Sequence, residues 1–490
     1  MQQSIASVQA QSFPNWELIA AVPTDPASTA FLNELARQDL RFRLCDAAGD
    51  ALTQARATLH AATGIYIMPL VPGTILAPHA LEAFATASAT ATADLIYSDH
   101  DAIDSCGRRH EPHFKPAWSP EYLRGTLYIG PAFCARRTLA LQAGGFSDLH
   151  DARFAHDLLL RLAEIVHDVR HVPQILVHLA QPTSPSDDIL IPAVTAHLTR
   201  MNIAARVRAG VRSGRLTFDP LPLMQEPMVS IVIPTRDAPA HLARCLDSIF
   251  QRSSYHNFEV VLVDNDTHDA DALAIMRHYP VRCVPFPGAF NFSRANNLGA
   301  AQARGEYLLL LNNDTEVLEP DWIQNLLFYA RQTDVGAVGG LLLYPNRTVQ
   351  HAGVVVGMSA VADHVMRGFA VEDDGYDGSL ACAREVLAVT AACLMLQTAE
   401  YRRLGGLDEG FRTHLQDVDL CLRISATGKR LIYTPRVVLL HHESATRGHG
   451  DDAADRELLL TRWATVFERG DQYYHPQFDR RLLNYSLRLQ

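Results

Sequence analysis

Two α/β domains, each with a mostly parallel central sheet and helices on both faces, are the fold this sequence predicts, and three observations predict it. From Val229 onward, apolar β-branched runs alternate with helix-patterned stretches, as expected of buried strands joined by crossover helices. Pieces of this second half recur in the same order in the first half, so the two domains read as relatives, the first degenerate. A length of 490 residues is too great for one compact core and suits two.

The second half is the clearer copy. VSIVIPT (229–235) reads as a buried strand, HLARCLDSIF as a helix, and FEVVLVDND (258–266) as the next strand. EYLLLLNND (306–314) is a further strand, and the amphipathic WIQNLLFYAR follows it. Ligands of such open sheets bind beyond the carboxyl ends of the strands, where Thr235, Asp264 and Asp314 fall. In the first half, Trp16-Glu17-Leu18 answers Phe258-Glu259-Val260, ATGIYIMPL answers ARGEYLLLL, and LAPHAL answers LEPDWI. Further on, AGGF (143–146) answers LGGL (404–407), HDLLLRL answers QDVDLCLRI, and RHVPQILVH ends as RLIYTPRVVLLH does. Between the halves, SPSDDILIPAVTAHLTRMNIAARVRAG reads as a helix entering an extended linker that PLPLMQEP closes. The domain plan is therefore residues 1–180, a linker over 181–228, a second domain over 229–450 and a helical tail over 451–490.

Composition narrows the function classes. With 48% hydrophobic and 20% charged residues the chain is globular. A net charge of -11 speaks against general nucleic-acid binding, which needs a clustered basic surface. No apolar run approaches the roughly 20 residues of a bilayer span, and the N-terminus lacks a charged start followed by an apolar stretch. Cytoplasmic residence is the expectation. The eight cysteines are scattered without a CxxC pair, so they read as reduced packing residues rather than zinc ligands or a redox dithiol.

Several residues have the character of a site. Asn312 and Asp314 end a buried strand two positions apart, hence on one side of an extended chain, and both can reach one ion. Oxygen ligands of this kind suit Mg²⁺ or Mn²⁺, which take their remaining ligands from phosphate and water; the bland alternative is an Asx turn. Asp264 ends another strand and can accept hydrogen bonds from a base or ribose. In QDVDLCLRI one of Asp417 and Asp419 suits a helix cap, leaving the other free to remove a proton from an acceptor hydroxyl. His441 and His442 follow an apolar strand and lead into ESATRG, a polar loop suited to phosphate.

Taken in order, residues 229–450 resemble glycosyltransferase family 2, especially its bacterial surface-polysaccharide and rhamnosyltransferase-like members. VSIVIPTRD is similar to the family's opening strand and nucleotide loop, LVDND to the strand bearing its base-contacting Asp, and FNFSRANNLGAAQARGEYLLLLNND to its sugar-nucleotide and metal segment. LGGLDEGF followed by QDVDLCLR completes the likeness. The resemblance implies a GT-A-like fold in both halves, with Asp417 as catalytic base, Asp314 and Asn312 at the metal, and His441 or His442 approaching metal or diphosphate. It also implies Thr235, Asp237, Asp264 and Asn313 at the nucleotide, and Arg294, Asn297 and Arg304 at diphosphate or sugar; the two arginines read equally well as solvated helix charges. Two departures stand out: NND replaces a strict DxD, and Gln416 stands where the family often has Glu.

The implied reaction is inverting sugar transfer from a UDP-, GDP- or dTDP-sugar to a glycan or lipid-linked acceptor, with peripheral attachment to the inner membrane left open. HAGVVVG (351–357), His364 and VTAAC (389–393) are candidate acceptor contacts. The tail is expected to pack beside the acceptor cleft. In the first half AAVPTD stands for VDND, MPLVPG stands for LNND, and nothing answers VSIVIP. That half is expected to be non-catalytic. Two alternatives are an inactive glycan-binding or assembly protein and a two-site polysaccharide polymerase. A nucleotidyltransferase would need a Gly/Arg/Lys-rich triphosphate loop, which IPTRDAPAHL is not.

Overall fold

A computed structural model describes all residues except 48, 90–92, 149–154, 181–185, 360, 413, 443–452, 483 and 489–490. The chain divides into two compact units, Met1–Phe218 and Asp219–Gln490.

In the second unit the main sheet runs in the order Val281–Pro285, Phe258–Asp264, Val229–Thr235, Tyr307–Leu311, Cys393–Gln397, Val335–Leu343, Arg430–His441 and Thr315–Val317. Six of these strands point one way; Cys393–Gln397 and Thr315–Val317 run against them. The sheet is thus mostly parallel, as the strand–helix alternation predicts. Helices cover both faces. Ile231, Ile233, Val260 and Leu262 join the apolar cluster that holds Leu242, Cys245 and Leu246 of the helix Pro239–Arg252. The alternate residues Val232 and Val263 meet the helix Phe292–Gln302 at Gly299, where any Cβ would collide with both valines.

All six parallel strands end at one edge, and the chemistry is gathered there. The antiparallel strand Cys393–Gln397 begins at the same edge, because Leu311, the last residue of its neighbour, pairs with Cys393. Its lead-in, Thr390–Ala392, therefore lies beside the ends of the parallel strands.

The first unit holds a parallel pair, Leu18–Ala21 with Phe42–Cys45, and a separate sheet in the order Tyr66–Ile67, Phe133–Arg136, Leu95–Ile103, Val169–Leu179 and Thr74–Leu76. Strand directions along this second sheet match those from Tyr307–Leu311 to Thr315–Val317. No counterpart of Val229–Thr235 joins the two sheets among the described residues, so what is continuous in the second unit is split in the first.

Within the segment read as a helix and extended linker, the helix Asp187–Arg200 buries Leu190, Ala193, Val194 and Leu198 in the first unit. Its His197 bonds Glu164 (2.7 Å) and accepts from Arg124 (3.1 Å). Among the described residues the tail is helical over Ala453–Arg462 and Ala464–Arg469. Beyond it, Tyr474, Phe478 and Tyr485 pack on one another and on Tyr376.

Candidate active site

The nucleotide candidates lie at the carboxyl edge. Thr235 and Asp264 are register partners, and Thr235 Oγ1 accepts from Asn313 Nδ2 at 3.1 Å. Asp264 Oδ1 accepts the Thr267 N–H at 3.0 Å, three residues on, and so braces the loop that follows its strand. Asp237 and Ala238 both adopt positive φ, 46° and 53°. Asp237 Oδ1 accepts the N–H groups of His268 and Asp269, each at 2.9 Å, and these bonds hold its carboxyl below the usual range. Asp237 thus ties the loops after the first two strands together. Arg294 donates to the carbonyls of Pro287 and Ala289 and lies over the Phe286 ring, bracing the loop whose Phe286 N–H bonds Asp264 O.

Two candidates are placed differently from the expectation. Asn297 accepts from Tyr401 Oη (2.7 Å) and Leu407 N–H (2.9 Å) and donates to Leu407 O (2.8 Å) and Glu409 (3.2 Å), so its amide fastens the turn before the Asp417 helix. Arg304 lies at the opposite edge of the sheet: its N–H bonds Ser230 and Glu259, the second residues of their strands. A strand of this length spans about 16 Å, so Arg304 is not brought to the donor edge.

The ion motif is tightly built. Thr315 Oγ1 donates to Asn312 O at 2.8 Å, folding the turn so that Asp314 faces the last residue of the strand Arg430–His441. His441 Nε2 lies 3.2 Å from Asp314 Oδ1 and 3.2 Å from Asn312 Nδ2, while its Nδ1 lies 2.6 Å from Gln350 Oε1. His442, next along an extended chain, turns the other way, toward Glu316 (3.7 Å) and the His241 ring (5.7 Å between centroids). Of the two histidines, His441 is the one brought to Asp314. Residues of ESATRG lie outside the described residues.

Asp417 opens the helix Gln416–Ser425, whose N-cap position, Leu415, has φ 66°. Its Oδ2 accepts the Ala391 N–H at 2.9 Å, and the neighbouring Ala392 O accepts the Asn312 N–H at 3.2 Å. Two short links therefore join Asp417 to the ion motif through Thr390–Ala392. Asp419 is fully buried and bonded to Arg423 (2.8 Å), Arg462 (2.9 Å) and Trp463 Nε1 (3.0 Å). It is structural.

Residues 230–354 match the family model described as Glycosyl transferase family 2. The second unit thus carries a glycosyltransferase family 2 domain. The chain is 35% identical over 500 residues to the O-antigen biosynthesis protein RfbC of Myxococcus xanthus, covering 97% of this chain and 39% of that protein. It is 34% identical over 504 residues to protein y4gI of Sinorhizobium fredii, covering 97% and 55%. To the N-acetylglucosaminyl-diphospho-decaprenol L-rhamnosyltransferase of Mycobacterium tuberculosis it is 26% identical over 244 residues, covering 45% and 78%. The chain thus spans about two fifths to just over half the length of the first two relatives.

Hydrogen bonds in the first unit can be set against those of the family 2 domain. Glu17 accepts from Thr63 N–H and Gly64 N–H and pairs with Arg43, as Glu259 accepts from Arg304 N–H and pairs with Arg282. Arg161 bonds Asp157, Ala143 O and Gly145 O, as Arg423 bonds Asp419, Leu404 O and Gly406 O. Asp157 therefore corresponds to Asp419, and Ala155 stands two residues before it where Asp417 would be. Ala180 N–H donates to Gly73 O as His442 N–H donates to Asp314 O, and Thr74 pairs with Leu179 as Thr315 pairs with His441. Gly73 and Leu179 thus occupy the places of Asp314 and His441. This register shifts the RHVPQILVH match by one residue, since Leu179, not His178, stands opposite His441.

His241 and Gln350 were not marked by any motif. His241 lies in the first turn of its helix, with its ring pKa lowered by burial and by Arg244, close enough to feel the Asp314 charge. Gln350 is a buried amide at the centre of the short strand Val349–His351, a burial the sequence did not announce.

Proposed function

We propose that the second unit transfers a sugar, with inversion, from a nucleoside-diphosphate donor to a hydroxyl of a glycan or lipid-linked glycan in surface-polysaccharide synthesis. The observation that carries this reading is that Thr390–Ala392 links Asp417, through the Ala391 N–H, to Asn312, through the Ala392 carbonyl, beside the Asp314–His441 pair and at the edge where Thr235 and Asp264 end their strands. Asp417 takes the proton of the attacking hydroxyl while the new bond forms at the anomeric carbon and the diphosphate leaves. Thr235, Asp264 and Asn313 orient the nucleotide. The names of the relatives support an O-antigen or rhamnosyl setting.

The residues fit a divalent ion. An octahedral Mg²⁺ or Mn²⁺ places neighbouring ligands about 3 Å apart, close to the 3.2 Å between His441 Nε2 and Asp314 Oδ1. Asn312 presents its amide nitrogen to His441, so it would serve as a ligand only after turning its oxygen inward. A bound ion would supply positive charge against the leaving diphosphate.

In this reading the first unit is a degenerate copy of the same domain with a non-catalytic role, since Gly73, Leu179 and Ala155 stand at its three chemical positions. Screening UDP-, GDP- and dTDP-sugars for hydrolysis with Mn²⁺ tests the proposal. Turnover should stop on chelation and in Asp314→Ala; undiminished turnover by Asp314→Ala in excess chelator would sink the ion-dependent mechanism.

A further inference from the structure

Resting on the reading of Asp314 and His441 as an ion-binding pair, we propose that Gln350 is a positioning residue that fixes the tautomer of His441. Gln350 is buried, and its Oε1 lies 2.6 Å from His441 Nδ1. An amide oxygen can only accept, so Nδ1 carries the proton. The neutral ring then has its lone pair on Nε2, the atom 3.2 Å from Asp314 Oδ1. The amide is oriented at its other end as well, where Gln350 Nε2 donates to the His441 carbonyl at 3.5 Å. A flipped amide would set two carbonyl oxygens face to face.

The tautomer decides what the Asp314–His441 pair can do. With the proton on Nε2, the ring would donate to the Asp314 carboxylate and the pair would close on itself. With the proton on Nδ1, a lone pair and a carboxylate oxygen face each other across 3.2 Å, an arrangement that repels until a cation lies between them. Fixing one nitrogen by a hydrogen bond so that the other is presented to an ion is a general way to build such a site.

The first unit gives an independent argument. There Leu95–Ile103 pairs with Val169–Leu179 through His100 and Val177, as Leu342 pairs with Leu439, and His100 also pairs with His113 as Leu342 pairs with His351. Pro112 therefore stands at the place of Gln350. Proline has no side-chain acceptor. Where the imidazole is replaced by Leu179 and the carboxylate by Gly73, the amide is gone too, although scaffold pairs such as Asp157–Arg161 remain.

Nitrogen NMR on the metal-free full chain, with ¹⁵N-labelled histidine above pH 8, reads the tautomer directly. His441 should carry its proton on Nδ1 in the native chain and shift toward Nε2 in Gln350→Leu. Mn²⁺ binding followed by electron paramagnetic resonance should weaken in Gln350→Leu by about tenfold to a hundredfold, and Gln350→Glu, which restores the acceptor, should recover both readouts. An Nε2-protonated His441 in the native chain would overturn the proposal without any variant. So would a folded Gln350→Leu with unchanged tautomer and Mn²⁺ affinity. His441→Ala separates the two readings: if it loses Mn²⁺ while Gln350→Leu does not, only the role of Gln350 fails; if it keeps full Mn²⁺ affinity, the ion-pair reading fails with it.

Discussion

Asp417 and Asp419 stand two residues apart in one helix and do unrelated work. Asp419 is enclosed by Arg423, Arg462 and Trp463, and its counterpart Asp157 keeps the same arginine bond in a unit where Ala155 stands at the place of Asp417. Asp417 is only half-buried and holds two backbone N–H groups, those of Ala391 and Val418. Asp417→Asn should therefore lower transfer by about 10²- to 10⁴-fold with little change in unfolding temperature, since the amide oxygen can still accept from Ala391. Asp419→Asn should cost about 3 kcal/mol of stability, because the Arg423 guanidinium loses its buried counter-charge while Arg462 keeps Asp408. A rate assay paired with thermal unfolding distinguishes them; near-normal turnover by Asp417→Asn would reduce it to a helix cap. The sequence supplied the pair and the idea that one was structural. Spacing alone left open which, and only the family resemblance pointed to Asp417 as the base, because Arg462 and Trp463, which help enclose Asp419, come from the distant tail.

At the scale of elements, the parallel strands were legible because each is an uninterrupted apolar run ending in polar residues, as in VSIVIPT and EYLLLLNND. The place of Cys393–Gln397 was not legible. It enters the sheet antiparallel between Tyr307–Leu311 and Val335–Leu343, a long-range pairing that no turn signal announces. This insertion also carries Ala391 to Asp417, so a gap in reading the sheet was a gap in reading the site. The helix Phe292–Gln302 shows the opposite error: Asn297 has the polarity of a ligand, yet its amide is spent on the turn at Gly406 and Leu407. Gly406 has φ 72°, and a Cβ there would strike the Asn297 side chain, so the fit is close. Asn297→Ala should cost about 2–4 kcal/mol in denaturant unfolding, the net worth of several buried hydrogen bonds, and leave donor affinity in the folded protein unchanged. A weaker donor with undisturbed stability would return Asn297 to the ligand set.

For the whole molecule, the question is how many donor sites one chain carries. Both units share a strand order from Tyr66–Ile67 to Thr74–Leu76 and from Tyr307–Leu311 to Thr315–Val317, and this likeness was visible in the sequence as matched fragments at steady spacing. What the fragments could not fix was register, since apolar strands align equally well one residue out; matched hydrogen bonds resolve it and place Gly73, Leu179 and Ala155 opposite Asp314, His441 and Asp417. The absent strand matters more than the three side chains. Val229–Thr235 joins its two neighbours into one sheet and ends in Thr235, and among the described residues the first unit shows no equivalent, its strands falling in two separate sheets. Titrating the full chain calorimetrically with its preferred nucleoside diphosphate and Mn²⁺ should therefore give one site per chain. Asp314→Ala should abolish Mn²⁺-dependent binding entirely rather than halve it. A stoichiometry of two, or half the binding retained in Asp314→Ala, would mean that the first unit binds a donor through residues other than those matched here, and would favour a polymerase with two working sites.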